Sequence, residues 1–188
     1  MSAVMADCMA DKRVRVWDPL VRLFHWSLAL SVIVAWATSE GWRASHEAAG
    51  YVVAALVSAR VAWGFVGSRY ARFGQFVQPP AIVARYLKAI ASGGERRYLG
   101  HNPAGAAMIV ALLAGIGATA VTGWLLTTDA FWGSKPMELV HSLFGNGIVA
   151  LACLHVAGVA LASWRHRENL VRAMVTGLKR APGPADVA

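Results

Sequence analysis

Acidic residues are scarce in this chain: ten Asp and Glu stand against eighteen Lys and Arg in 188 residues, a formal charge of +8. Charged residues make up only 15% of the sequence and hydrophobic residues 57%. That balance excludes an ordinary soluble domain, and the length excludes more than one unit. Cysteine is almost missing. Cys8 and Cys153 fall in a terminal tail and an apolar stretch, so a structural disulfide is not expected, and no Cys-x-x-Cys-His occurs to attach a c-type haem covalently. The first apolar segment lacks a small-residue cleavage site, which reads as a retained span rather than a removable leader. The basic residues flank apolar segments and form no DNA-binding motif. Their implied partner is therefore an anionic lipid bilayer, and nucleic acid is excluded.

What remains is a set of four apolar helices. Asp18-Pro19 and Asn102-Pro103 each place a capping side chain before a proline at the first helical position. The spacing predicts spans over about 19–39, 45–66, 103–126 and 136–163. The expected fold is all-α: an integral membrane four-helix bundle forming a single domain over 1–188. Residues 68–101 form the only long connection. Within it, Ala81 to Ala91 sets Ile82, Val83, Tyr86, Leu87 and Ile90 on one side and Arg85 and Lys88 away from it, the pattern of a helix lying in the interface. Gly105, Gly115, Gly117 and Gly123 in the third span would permit close approach of a neighbouring helix or a flat cofactor.

Cations fix the expected sides. Sixteen of the eighteen lie in the N-terminal tail and helix entry, in Arg60 and the long connection, and after the fourth span; Arg43 and Lys135 alone lie opposite. The positive-inside rule then predicts a multi-pass membrane protein with four spans and both termini in the cytoplasm. The basic, then Pro- and Ala-rich tail after Arg165 is expected to be cytosolic.

That orientation assigns depths to the histidines. His141 and His155 are fourteen residues apart in the last span. The spacing is about 40° short of four turns and about 21 Å along the axis, so both imidazoles share a face. His25 and His155 fall at the inner level, His46 and His141 at the outer one. Zinc would require further Cys, His or carboxylate ligands at each level, whereas haem needs two axial nitrogens and apolar walls. Bis-histidine haem ligation is therefore the leading reading: His25 with His155 on one iron, His46 with His141 on the other.

Arg60 is fourteen residues after His46 and shares its face. It either snorkels to the surface or meets a haem propionate. His101, beside the Asn102-Pro103 cap, reads as an interfacial polar residue, with contact to a haem propionate or a quinone head group as the alternative. His166 reads as interfacial, and Cys153 as plain packing turned about 200° from His155. The eight tryptophans, Trp17 among them, mostly gather near span ends as an aromatic belt.

Three stretches carry a family resemblance. Val-Arg-Val-Trp-Asp-Pro-Leu-Val-Arg-Leu-Phe-His-Trp (14–26), Arg-Tyr-Leu-Gly-His-Asn-Pro-Ala-Gly (97–105) and the ending from Leu-His-Val-Ala-Gly (154–158) to His-Arg-Glu-Asn-Leu (166–170) resemble the bacterial cytochrome b561 family, which includes the b-type cytochrome subunits of nickel-iron hydrogenases. The resemblance implies two non-covalent b haems with axial ligands matching His25, His46, His141 and His155. It implies one-electron transfer between a quinone pool and a redox partner protein such as a dehydrogenase, hydrogenase or cytochrome c. Some members resemble a superoxide oxidase that reduces quinone. Such a site should steer an anion, yet the outer segments carry Arg43 and Lys135 against Glu40, Glu47, Asp129 and Glu138, a formal balance of −2. A non-redox scaffold, or a transporter using the histidines for protons, is the alternative of another class.

Overall fold

The computed structural model describes residues 13–188. Cys8, and with it half of the expectation about disulfides, lies outside the described residues. The chain forms β1 (Arg13–Arg15), α1 (Pro19–Ala37), α2 (Arg43–Val66), a 3-10 turn (Arg69–Ala71), α3 (Phe73–Phe76), α4 (Pro80–Ser92), α5 (Pro103–Leu125), α6 (Lys135–Arg165), α7 (Leu170–Thr176) and β2 (Leu178–Arg180). Four of these helices, α1, α2, α5 and α6, are long and apolar enough to cross a membrane. The caps are made as the sequence dictates. Asp18 Oδ1 accepts from the Val21 amide at 2.9 Å, and Asn102 Oδ1 from the Gly105 amide at 2.7 Å.

The described chain groups into two compact units, one of residues 23–63 and 109–154, the other of 13–22, 64–108 and 155–188. The first is a four-helix core. Val53 and Val57 of α2, Ile116 of α5 and Ile148 of α6 are buried together, with Leu28 and Val32 of α1, Ala120 and Leu151 packed on them. Glycine makes this approach possible: a Cβ at Gly115 would stand 2.7 Å from Ile148 Cδ1. Gly117 meets Val57 at an ordinary 3.9 Å, and Gly105 faces its own cap residue, so only part of the glycine stripe is a contact surface.

The second unit holds what the sequence pattern left as connection and tail. β1 pairs antiparallel with β2, Arg13 opposite Arg180, and Val16 and Trp17 donate to the Gly177 carbonyl at 2.9 and 3.2 Å. Gly177 closes α7 at φ 80°, and a Cβ there would meet the Trp17 carbonyl at 2.6 Å. No other residue satisfies both conditions. Val16, Trp17, Leu99 and Ala173 form the small core of this unit. Trp17 is thus buried rather than part of an interfacial belt. Trp36, Trp42, Trp132 and Trp164 are exposed near helix ends, as a belt requires. In α4, Tyr86 is buried and donates to the Arg96 carbonyl at 3.1 Å, while Leu87 stays exposed. The expected tail is likewise ordered: Leu99 donates to the Val187 carbonyl at 2.8 Å and Val187 to that of Arg97 at 2.9 Å.

Buried charges hold this tail. Arg97 clasps Glu168 with two bonds, Nη2 to Oε1 at 2.8 Å and Nε to Oε2 at 3.1 Å, and also reaches Asp186. Lys179 donates to the Tyr98 and Leu99 carbonyls at 3.1 and 2.9 Å and lies 3.5 Å from Glu168. Burial pushes the Glu168 carboxyl up, but the Arg97 bonds, Lys179 and the Arg180 amide outweigh it and hold it below the usual carboxylate range. Burial pushes the Lys179 ammonium down.

Removing one partner from such a set leaves an uncompensated buried charge. Glu168→Gln is expected to destabilise the protein by about 3 kcal/mol, read as a lowered Tm of the detergent-solubilised chain. A carboxyl held low in the folded state stabilises above its unfolded value and stops doing so as pH falls through its folded one. Wild-type Tm should therefore fall on acidification below about pH 4, and the variant should lose much of that dependence.

Candidate metal centres

His46 lies near the start of α2 and His141 in the second turn of α6. Their ring centroids are 6.0 Å apart and their planes perpendicular, at 89°. Each ring is oriented by its Nδ1. His46 Nδ1 lies 2.7 Å from the Ala35 carbonyl of α1, one of the last carbonyls of that helix and therefore short of intrahelical donors. His141 Nδ1 lies 3.1 Å from the Thr119 carbonyl and 3.1 Å from the Thr122 hydroxyl, both of α5. That hydroxyl already directs its proton to the carbonyls of Ala118 and Thr119, at 2.9 and 3.0 Å, which leaves its oxygen to accept. A carbonyl can only accept, so both imidazoles carry their proton on Nδ1 and their lone pair on Nε2.

All four long helices contribute to this arrangement: α1 and α5 supply acceptors, α2 and α6 the rings. Gly123 completes it, since a Cβ there would stand 2.9 Å from His141 Cε1. The 6.0 Å separation matches in size what a metal between two imidazoles requires. Two metal–nitrogen bonds of about 2.0 Å, with the half-width of each ring, span roughly 6 Å between centroids. Among the described residues, no three His, Cys, Asp or Glu side chains come together as ligands for a bare metal ion. The donor set therefore fits a cofactor that brings its own equatorial ligands, as haem does, better than zinc.

His25 is half-buried on α1, edge-on to Trp26 with centroids 4.9 Å apart. His155 is half-buried on α6. The two belong to different units and have no shared geometry to add to the sequence argument. Arg60 is only 7% exposed, so it is enclosed by protein rather than stretched along the outer surface of α2. His101 is packed between two aromatic rings, Trp17 at 4.5 Å and Phe76 at 4.7 Å between centroids. Cys153 is exposed rather than packed and is a free thiol.

Sequence reasoning missed the acceptors Ala35, Thr119 and Thr122 and the cage residues Trp17 and Phe76. A backbone acceptor leaves no side-chain signal. Trp17 did carry one: it precedes the Asp18-Pro19 cap and so stands outside the span it was assigned to border.

At the electrically sparse turns of the first unit, both cations are paired. Arg43 bonds Glu47 at 2.7 Å and stacks on Trp132 at 4.1 Å, and Lys135 bonds Glu138 at 2.8 Å.

The family model of the prokaryotic cytochrome b561 matches residues 16–177. A protein of Rhodobacter capsulatus described as a probable Ni/Fe-hydrogenase B-type cytochrome subunit is 28% identical, over 87% of this chain and 80% of its own. Proteins of the same description from Azotobacter chroococcum mcd 1 and Bradyrhizobium diazoefficiens are 27% and 24% identical, over 87% and 94% of this chain and 87% and 92% of their own. No solved structure matches the chain. Because the family model spans all four long helices, the chain belongs to the prokaryotic cytochrome b561 family.

Proposed function

We propose that this protein is a di-haem b-type cytochrome that passes electrons between membrane quinone and a redox partner, as the membrane subunit of a hydrogenase. The observation that carries the reading is the pair His46 and His141, ring centroids 6.0 Å apart, each with its Nδ1 at a helix carbonyl. When bound, each haem supplies a one-electron Fe(III)/Fe(II) couple. His46 and His141 would hold one iron through Nε2, and His25 and His155 would hold the other. The Nδ1 bonds fix ring orientation and ligand basicity. Arg60, enclosed in the bundle, pairs with a haem propionate. His101, between Trp17 and Phe76, supplies a polar contact for a propionate or a quinone head group. The cation-rich segments set both termini on the cytoplasmic side of the inner membrane.

The hydrogenase partner follows from the relatives' description as hydrogenase cytochrome subunits. Superoxide oxidation has less support, because Arg43 and Lys135 are already neutralised by carboxylates and offer an anion little attraction.

The optical spectrum of the detergent-solubilised protein before and after dithionite tests the reading: a reduced b-type haem spectrum is expected, and a colourless protein would refute it. Two variants probe the support of His141. Gly123→Ala places a methyl against its ring and should cost one of two haems per chain. Thr122→Val should weaken haem retention at that site about 10-fold, and Thr122→Ser should restore it, both read by haem titration.

A further inference from the structure

The turn that ends α6 closes in an unusual way. The Arg167 amide donates to the Trp164 carbonyl at 3.3 Å and the Glu168 amide to that of Ser163 at 3.1 Å, the two bonds of a Schellman closure. The left-handed residue of such a closure is ordinarily glycine, yet here it is Arg167, at φ 49°. Backbone strain borne by a charged residue points to a use for its side chain, and such positions gather at binding sites.

Arg167 stands at one end of a groove of about 550 Å³ whose wall is Val156, Val159, Ala160 and Trp164 of α6. The wall is unusually open for such residues, with Val156 65% and Trp164 77% exposed. Along the helix, Val156 to Trp164 covers about 12 Å, close to the depth of one hydrocarbon leaflet at about 15 Å. The charges around the groove are already sorted. Arg165 is bound to Glu95 at 2.8 Å and to the Ile90 carbonyl at 2.6 Å. Glu168 also borders the groove, but its carboxylate is turned into Arg97, Lys179 and the Arg180 amide, so it does not repel an anion there. Arg167 itself has no ion pair among the described residues.

We propose that this groove binds one anionic phospholipid, its phosphate on Arg167 and an acyl chain along Val156, Val159, Ala160 and Trp164. Free phosphate would leave the apolar wall unused, and an apolar helix of a partner protein would leave Arg167 unused. A lipid satisfies both.

Native mass spectrometry of the full-length holoprotein in detergent, titrated with phosphatidylglycerol or with phosphatidylcholine, tests this. Wild type should retain one phosphatidylglycerol at least 10-fold better than phosphatidylcholine, and added inorganic phosphate should not displace it. Arg167→Gln should abolish the preference and Arg167→Lys should keep most of it. Arg167→Gly separates binding from backbone strain: it should also abolish the preference, while the lipid-free protein shows a Tm no lower than wild type. Val159→Trp should fill the groove and lower retention with the cation intact. Equal retention of the two lipids by wild type, or unchanged phosphatidylglycerol retention in Arg167→Gly and Arg167→Gln, would overturn the proposal and leave the groove to a protein partner. Displacement by inorganic phosphate would overturn it in favour of a simple anion.

Discussion

A neutral imidazole offers a lone pair on one nitrogen only while the other keeps its proton, and inside an apolar bundle that proton must have an acceptor. Around His46 and His141 the acceptors come chiefly from the backbone: the Ala35 carbonyl in the last turn of α1, and the Thr119 carbonyl of α5 with the Thr122 hydroxyl beside it. The consequence reaches the whole four-helix unit. α1 and α5 must lie close enough for their carbonyls to touch rings carried by α2 and α6, which requires glycine at 123 and rewards glycine at 115. The core of Val53, Val57, Ile116 and Ile148 then forms between the same helices. On the proposed reading, packing and ligand orientation are one requirement.

Scarcity of acid organises the other unit in a different way. Each of its few carboxylates has a specific place. Asp18 caps α1 and accepts from Ser68, Glu95 holds Arg165, and Glu168 and Asp186 share Arg97. These pairs order the Arg97–Leu99 segment against the tail and leave Arg167 without an ion pair among the described residues. The family match ends at residue 177, yet the tail beyond it contributes Lys179 and Asp186 to this set.

Much of this was legible in the sequence. Apolar length and cap-then-proline signals located the four long helices to within a few residues, and periodicity aligned His141 with His155 on one of them. Equal depth grouped His46 with His141, and the two rings stand with centroids 6.0 Å apart. The tail was not legible, because its order depends on Arg97 meeting Glu168, 71 residues away in sequence, and no local pattern encodes such a meeting. Trp17 was misread for a related reason: tryptophan near a span end has the same composition signal whether it faces lipid or packs on His101. The backbone acceptors of the histidines were invisible, since any residue type could have supplied them.

The central claim is that the four histidines form two ligand pairs, and haem content per chain in single and double His→Ala variants tests it most directly. The account predicts two haems in wild type and one in each single variant. It also predicts one in the His46→Ala, His141→Ala double, the same one that either single variant retains, and none when one member of each pair is removed. One haem in wild type, or loss of both in the His46, His141 double with retention of one in the His25, His141 double, would contradict it.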